Sequence, residues 1–413
     1  MMCKKFFIVV WGLFLGFSVF VIVGSEKEFR LGLENLSPDF IGKIKNVNIG
    51  LITNQTGLSL DGKRNIDILL KKGLRIKKIF TPEHGLSGMV HTNDKIVNFV
   101  DARANIPIIT LYSAGRPIKI NRHMVKDIDI LMFDIQDAGM RHYTYITTLF
   151  DAMDSACNFN KKFVVLDRPS LLGSCMTGPL VEQGFKSAVS IASVPLRHGM
   201  SVGELAIYFN KHFLKKPIKL YVAKMKNYQR DSDEHNKMLT FLSSGIRNIN
   251  SCYCYSFLGL LGEISPFNIG LKTDRRFQCI MLNENKELPI EKWKNLQNLL
   301  ASCKVESFFC RKLGNKNSVS GLELKIKDIN NVASFNLFMK IVSFFKHTGI
   351  TMRFSKLFDL AVGTNKIRSF LQKGKEKSSL EKHINSNLDI FYKKASTCFL
   401  YKPFPKINYV DLS

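Results

Sequence analysis

The chain has 413 residues, 45% of them hydrophobic and 11% aromatic, enough to fill the cores of two domains and too many for a disordered or fibrous chain. Its formal net charge of +26 implies attraction to something anionic. The basic residues are scattered without a zinc-finger, RNA-recognition or basic-helix signature, so no nucleic-acid partner is expected.

Residues 6–23 form an apolar run without a charge, preceded by Lys4 and Lys5, which is the pattern of an export signal. The run is also long enough to act as a membrane tether. Residues 1–25 are therefore set apart as signal peptide or anchor, and the protein is expected to be exported, periplasmic or otherwise extracytoplasmic. Cys3 lies before the apolar run, where a lipoprotein cysteine would lie after it. The other cysteines are mostly isolated in apolar contexts, and Cys252-Tyr-Cys254 has the wrong spacing for a redox or zinc pair, so buried free thiols are expected.

Short continuous β-branched runs predict strands at 47–53, 76–81, 106–112, 128–135 and 162–167. Helical patterns fall between them at 65–72, 122–127 and 143–157. The alternation predicts an α/β domain with a doubly wound, mostly parallel sheet over residues 26–242. Within it Ser201 and Glu204 have capping-box spacing at the start of a further helix. Past Ala223 the texture becomes polar and irregular. Residues 243–413 then mix strands (279–282 and 322–329) with helices (291–303, 336–349 and 378–394), predicting a second, α+β domain.

In open α/β sheets ligands bind beyond the carboxyl ends of the strands. Every polar cluster of the first half falls at such a place. Asn54 follows the first strand, Glu83 and His84 the second, Tyr112 closes the third, the string DIQDAGMRHYTYITTL (134–149) follows the fourth, and Asp167 and Arg168 the fifth. A shared cleft explains five polar strand ends in succession. Carboxylates on neighbouring strand ends could form the acid and base pair of glycoside hydrolysis, or equally an ion-pair network with Arg141 and Arg168. No GxGxxG follows the first strand, so no dinucleotide is expected.

The segments LITNQTGLSLDG, FTPEHGLSG, DILMFDIQDAGMRHYTYITTL, VVLDRPSLLGSCMTGPLVEQGF and PLRHGMSVGELAIYFN, in this order, resemble a bacterial family of exo-acting β-N-acetylmuramidases, formerly a domain of unknown function. The late segment beginning FDLAVGTNKIRSF resembles the family's C-terminal module, so the likeness covers nearly the whole mature chain. The resemblance implies a Rossmann-like catalytic domain with an auxiliary domain over its cleft. It also implies removal of N-acetylmuramic acid from non-reducing ends of peptidoglycan fragments, without metal or cofactor. It makes Glu83 the favoured catalytic carboxylate, with His84 and Asp137 beside it, and places Asn54, Arg141, Tyr143, Asp167, Arg168 and His198 around the substrate. Arg141 or Arg168 would pair with the lactyl carboxylate. The chain departs from the family where a glutamate usually precedes Gly-Pro and Thr177 stands instead, with Glu182 a few residues on, and where Leu271 replaces an arginine. These departures give a second expectation, a wall-glycan-binding protein that keeps the fold.

Overall fold

The computed structural model describes residues 28–91, 94–95, 97–232, 241–283, 287–312, 315–374 and 376–412. The apolar run at 6–23, expected to be a signal or tether, lies outside the described residues. Among the described residues no helix is long and apolar enough to cross a membrane.

The predicted strands of the first half share one sheet. It contains β1 (Asn48–Thr53), β2 (Arg75–Thr81), β3 (Phe99–Val100), β4 (Pro107–Thr110), β5 (Ile130–Asp134), β6 (Lys162–Leu166) and β7 (Leu220–Ala223), in spatial order β7-β6-β5-β1-β2-β4-β3. All neighbours run parallel except β3, which pairs antiparallel with β4 at the edge. Side-chain alternation divides the strands between two apolar layers. Ile49, Leu51, Ile79, Met132 and Val164 face one, while Ile52, Phe80, Phe133, Phe163 and Val165 face the other. Opposite Ile49 and Gly50 the register slips by one residue of β2, and this bulge lets Ile76 and Ile79 both face the first layer.

Helices α1 (Asn65–Lys71), α2 (Tyr145–Asn158) and α3 (Val202–His212) lie against the sheet. The expected capping box of α3 is formed, with Ser201 accepting from the Glu204 amide and Glu204 accepting from the Ser201 amide. The second half builds an antiparallel sheet of β8 (Phe267–Asn268), β9 (Cys279–Leu282), β10 (Glu306–Lys312) and β11 (Asn315–Lys325), ordered β8-β9-β11-β10. Around it stand α4 (Ile249–Leu261), α5 (Ile290–Ser302), α6 (Ser334–His347), α7 (Lys356–Val362), α8 (Lys366–Lys373) and α9 (Lys377–Ala395). Sequence patterning missed α4. The helix is apolar around nearly its whole circumference and carries no polar stripe, because it is enclosed on all sides.

The two halves share one core, in which Leu131 and Phe133 of the first sheet and Trp293 and Phe345 of the second half join the same cluster. The fully buried Arg197 reinforces the junction. Arg197 donates to the carbonyls of Ile329 and Val332 and to the Ser334 hydroxyl. The chain end also returns to the first half, where Lys406–Ile407 pairs with Cys175–Met176. The eight cysteines among the described residues are free, and all but Cys303 are buried.

Candidate active site

Chain order along the sheet reverses at β1, so the loops after β2 and β5 part on either side of it and leave a crevice at the carboxyl end. A cavity of about 510 Å³ lies there, within the range of small-molecule pockets. Its walls come from both halves of the chain. Glu83 and His84 follow β2, His142, Tyr143 and Thr144 follow β5, and Tyr255 and Glu263 come from α4 and its end.

Glu83 is 7% exposed. Thr144 donates its hydroxyl to Glu83 Oε2 at 2.5 Å. This threonine sits at the N-cap of α2 but makes no side-chain cap bond, its hydroxyl being turned to Glu83. Tyr112 lines a smaller pocket together with the same carboxylate. Burial and then the Glu83 charge push Tyr112 up to about 12, so that it remains a donor. The positive end of the α2 dipole faces the same carboxylate.

His84 has φ of 70°, a left-handed conformation that costs a residue with a Cβ, and its Nδ1 lies 2.7 Å from the Val90 carbonyl. That bond and the glycine turns beside it fix the imidazole at the cleft wall. Gly88 has φ of 71°, and a Cβ there would run into the Gln55 side chain. Its carbonyl accepts from Ser244, and Gln55 donates to the Leu242 carbonyl at 2.5 Å, tying the loop after β2 to residues 242–246 across the cleft.

His142 is buried against the Tyr255 ring with centroids 4.8 Å apart, and neither ring nitrogen has a partner among the described residues. Burial, with Arg141 nearby, lowers its pKa to about 3, so the ring is neutral and offers one donor and one acceptor. Among the described residues the cleft lining contains one arginine, Arg276, whose Nη1 donates to the Ser244 carbonyl at 2.7 Å. Ile269, Leu271, Phe277 and Leu357 make the remaining wall apolar.

Three residues expected at the site line this cleft: Glu83, His84 and Tyr143. The others are engaged elsewhere. Arg141 is fully buried and donates to Ser190 Oγ and to the carbonyls of Pro179, Val194, Ala361 and Val362, so no N–H is left for a lactyl carboxylate. Two of those carbonyls end α7, where a cation is favoured by the helix dipole. Arg168 pairs with Asp134 at 2.6 Å and with the Leu58 carbonyl. Asp167 accepts from Tyr401, Ser201 and Gly203. Asp137 accepts from the Gly139 amide and lies 3.8 Å from His198, both buried. Asn54 closes a turn on Thr56. Glu182 pairs with Lys366 and His383. Thr177 is 1% exposed and bridged through its backbone to Arg197, so its replacement of a glutamate falls in the core, whereas Leu271 does line the cleft.

His142 was named within the string 134–149 without a role, whereas Thr144, Tyr255, Glu263 and Arg276 were not singled out from the sequence. Thr144 lies within the same string. Tyr255 and Glu263 belong to a helix and helix end without a polar pattern, and no sequence signal marks them.

Two family models match the chain: exo-beta-N-acetylmuramidase NamZ, N-terminal, over residues 49–248, and exo-beta-N-acetylmuramidase NamZ, C-terminal, over residues 253–401. The peptidoglycan beta-N-acetylmuramidase NamZ of Bacillus subtilis is 35% identical over 279 residues, which is 67% of this chain and 66% of that protein. The match thus spans slightly under two thirds of that relative's length. Two crystal structures of DUF1343 family proteins from Bacteroides fragilis are also similar. One has a TM-score of 0.78 and 29% identity, the other 0.68 and 25%, each covering 91% of this chain and 99% of its own.

Proposed function

The chain belongs to the exo-β-N-acetylmuramidase family, whose two domain models it matches in order, and on that premise we propose that it is a glycoside hydrolase releasing N-acetylmuramic acid from the non-reducing ends of peptidoglycan fragments. The observation that carries the reading is Glu83, a carboxylate buried at the cleft wall and bonded by the Thr144 hydroxyl. Glycoside cleavage requires a carboxyl group that exchanges a proton with the glycosidic oxygen or with water, and Glu83 fills that role. Among the described residues Glu263 is the other carboxylate of the cleft lining, and it is held by the Ser355 hydroxyl. The lactyl carboxylate of the terminal sugar is assigned to Arg276, since Arg141 has no N–H left and Arg168 is paired with Asp134 outside the cleft lining. The neutral His142 suits uncharged polar groups of the sugar. The uncharged run at residues 6–23 supports export to the compartment that holds the wall.

The test is incubation of purified protein with a chromogenic N-acetylmuramic acid β-glycoside and with the N-acetylmuramic acid to N-acetylglucosamine disaccharide. Free N-acetylmuramic acid released by the natural protein but not by Glu83→Gln is the expected result. Binding of the disaccharide without turnover by either protein would overturn the reading and leave a wall-glycan-binding protein.

A further inference from the structure

The edge of the first sheet opposite the cleft, where the parallel strands begin, is strongly basic. Lys45 precedes β1, Lys72 precedes β2, Lys126 precedes β5, Lys162 opens β6, and Lys216 and Lys219 precede β7. All are exposed except Lys72, which is half-buried. The sheet register draws them into a row. Lys162 is level with Ile130, Ile130 with Ile49, and the Lys219 carbonyl accepts from the Phe163 amide directly after Lys162.

Two acids occur among these strand starts, and both are engaged. Asp127 pairs with Lys78, and Asp129 accepts the Asn48 amide at 2.8 Å. The cleft edge is different, its charged lining groups being Glu83, Glu263 and Arg276 with nearby imidazoles. The excess positive charge is therefore not gathered where the substrate's reacting end is held.

Five strands from β7 to β2 at about 4.8 Å spacing give a row of about 20 Å, and strands of this length separate the two edges by about 20 Å. The ammonium groups are ranged along the row and do not converge on a point. Such spacing suits a polymer with repeated negative charges better than one small anion.

We propose that this edge is a docking surface for intact peptidoglycan, bound through the free carboxylates of its stem peptides while the cleft works on a different chain end. The choice of polymer rests on the function proposed above; the basic row does not. Each exposed charge contributes little alone, and together they hold the protein on an insoluble, polyanionic substrate in a salt-dependent way. A protein held at its back leaves its cleft free to meet successive chain ends.

The test compares three proteins by pelleting with purified sacculi. One is the natural chain. The second carries Lys45→Glu, Lys72→Glu, Lys126→Glu, Lys162→Glu and Lys216→Glu. The third has the same net charge change at exposed lysines of the C-terminal helices, through Lys373→Glu, Lys377→Glu, Lys382→Glu, Lys393→Glu and Lys394→Glu. At about 50 mM salt the edge variant is expected to need about tenfold more sacculi for half-retention, and the control variant no more than about twofold more. All three should hydrolyse the soluble chromogenic glycoside equally, which also reports folding. If none hydrolyses it, the catalytic reading fails while circular dichroism and pelleting still decide the docking surface. Equal losses in the two variants, or no retention of the natural chain, would overturn the proposal. Tighter retention by phosphatidylglycerol vesicles than by sacculi would overturn it too, making lipid the partner.

Discussion

After β2 the chain sets an acid and a base side by side, Glu83 and His84, and after β6 it does so again with Asp167 and Arg168. At the first place the carboxylate is bonded by the Thr144 hydroxyl and lies at a cavity shared by both halves of the chain. At the second, both side chains bond to buried groups of the protein. Asp167 receives the Tyr401 and Ser201 hydroxyls and two backbone amides, and Arg168 is held by Asp134 and the Leu58 carbonyl. Arg230 and Glu204, both buried, pair just behind. The difference lies in what covers each strand end. β2 lies beside the reversal of strand order, where neighbouring loops diverge, whereas β6 is closed by the start of α3 and by the returning chain end. Polar residues at a strand end mark a site only where nothing else in the fold takes up their hydrogen bonds.

Neutralising Glu83 at the first place and Arg230 just behind the second should separate catalysis from stability. Glu83→Gln is expected to lower turnover about 10³-fold while leaving unfolding free energy within about 1 kcal/mol, because the amide keeps size and can still accept from the Thr144 hydroxyl. Retained turnover would remove Glu83 from the chemistry. Arg230→Ala is expected to do the opposite. It leaves Glu204 buried and unpaired, at a cost of about 3–5 kcal/mol in urea unfolding, with kcat/KM of the surviving folded protein nearly unchanged.

The buried side of the comparison also predicts a pH dependence. Burial pushes Asp167 up to about 7, Glu204 adding to the effect and the Tyr401, Gly203 and Ser201 donors opposing it. The folded protein then keeps a proton that the unfolded chain, near its ordinary 3.8, has released. This contribution to stability is complete below about pH 4 and is lost as pH rises through about 7. Asp167→Asn cannot titrate. Unfolding at about pH 5 and about pH 8 should therefore show a steeper decline for the natural chain than for the variant, and parallel lines would sink the assignment.

On the cleft side, Thr144→Val removes a donor to a carboxylate, worth about 1.5–3 kcal/mol. An about 10-fold to 100-fold fall in kcat with KM within about twofold is expected, and Thr144→Ser should restore most of it. A change confined to KM would show that Thr144 touches substrate and does not position Glu83.

The parallel sheet was legible because its strands are buried on both faces and so appear as unbroken β-branched runs, from Ile49 to Leu166. The cleft's location followed from topology, and Glu83 from its place in a strong motif. Partner choice was not legible. Arg141 and Arg168 look like anion binders in sequence, but their acceptors are carbonyls and a carboxylate contributed from distant parts of the chain, Ala361 and Val362 for the first and Asp134 for the second. Only the folded arrangement shows that Arg141 has no N–H to spare and that Arg168 is committed to a buried partner. The α4 wall of the cleft escaped for the converse reason, since a helix buried all round has no face to betray it.

Glu182 is the weakest point of the comparison and so its finest test. From sequence it is the acid closest to Thr177, where the family resemblance places a glutamate. In the fold its side chain is 30% exposed and paired with Lys366 at 2.8 Å and His383 at 3.3 Å, away from the cleft lining. Exposed pairs of this kind contribute about 0–1 kcal/mol and fade with salt. Glu182→Gln should accordingly change kcat/KM by less than about twofold and lower stability by less than about 1 kcal/mol, the loss vanishing near about 0.5 M salt. Both partners lie in the C-terminal half, and the Glu182 amide donates to the Gly363 carbonyl beside them. A large loss of turnover at full stability would mean that the two halves rearrange during the reaction and carry this carboxylate into the cleft, joining the second catalytic role to the acid that sequence placed nearest to it.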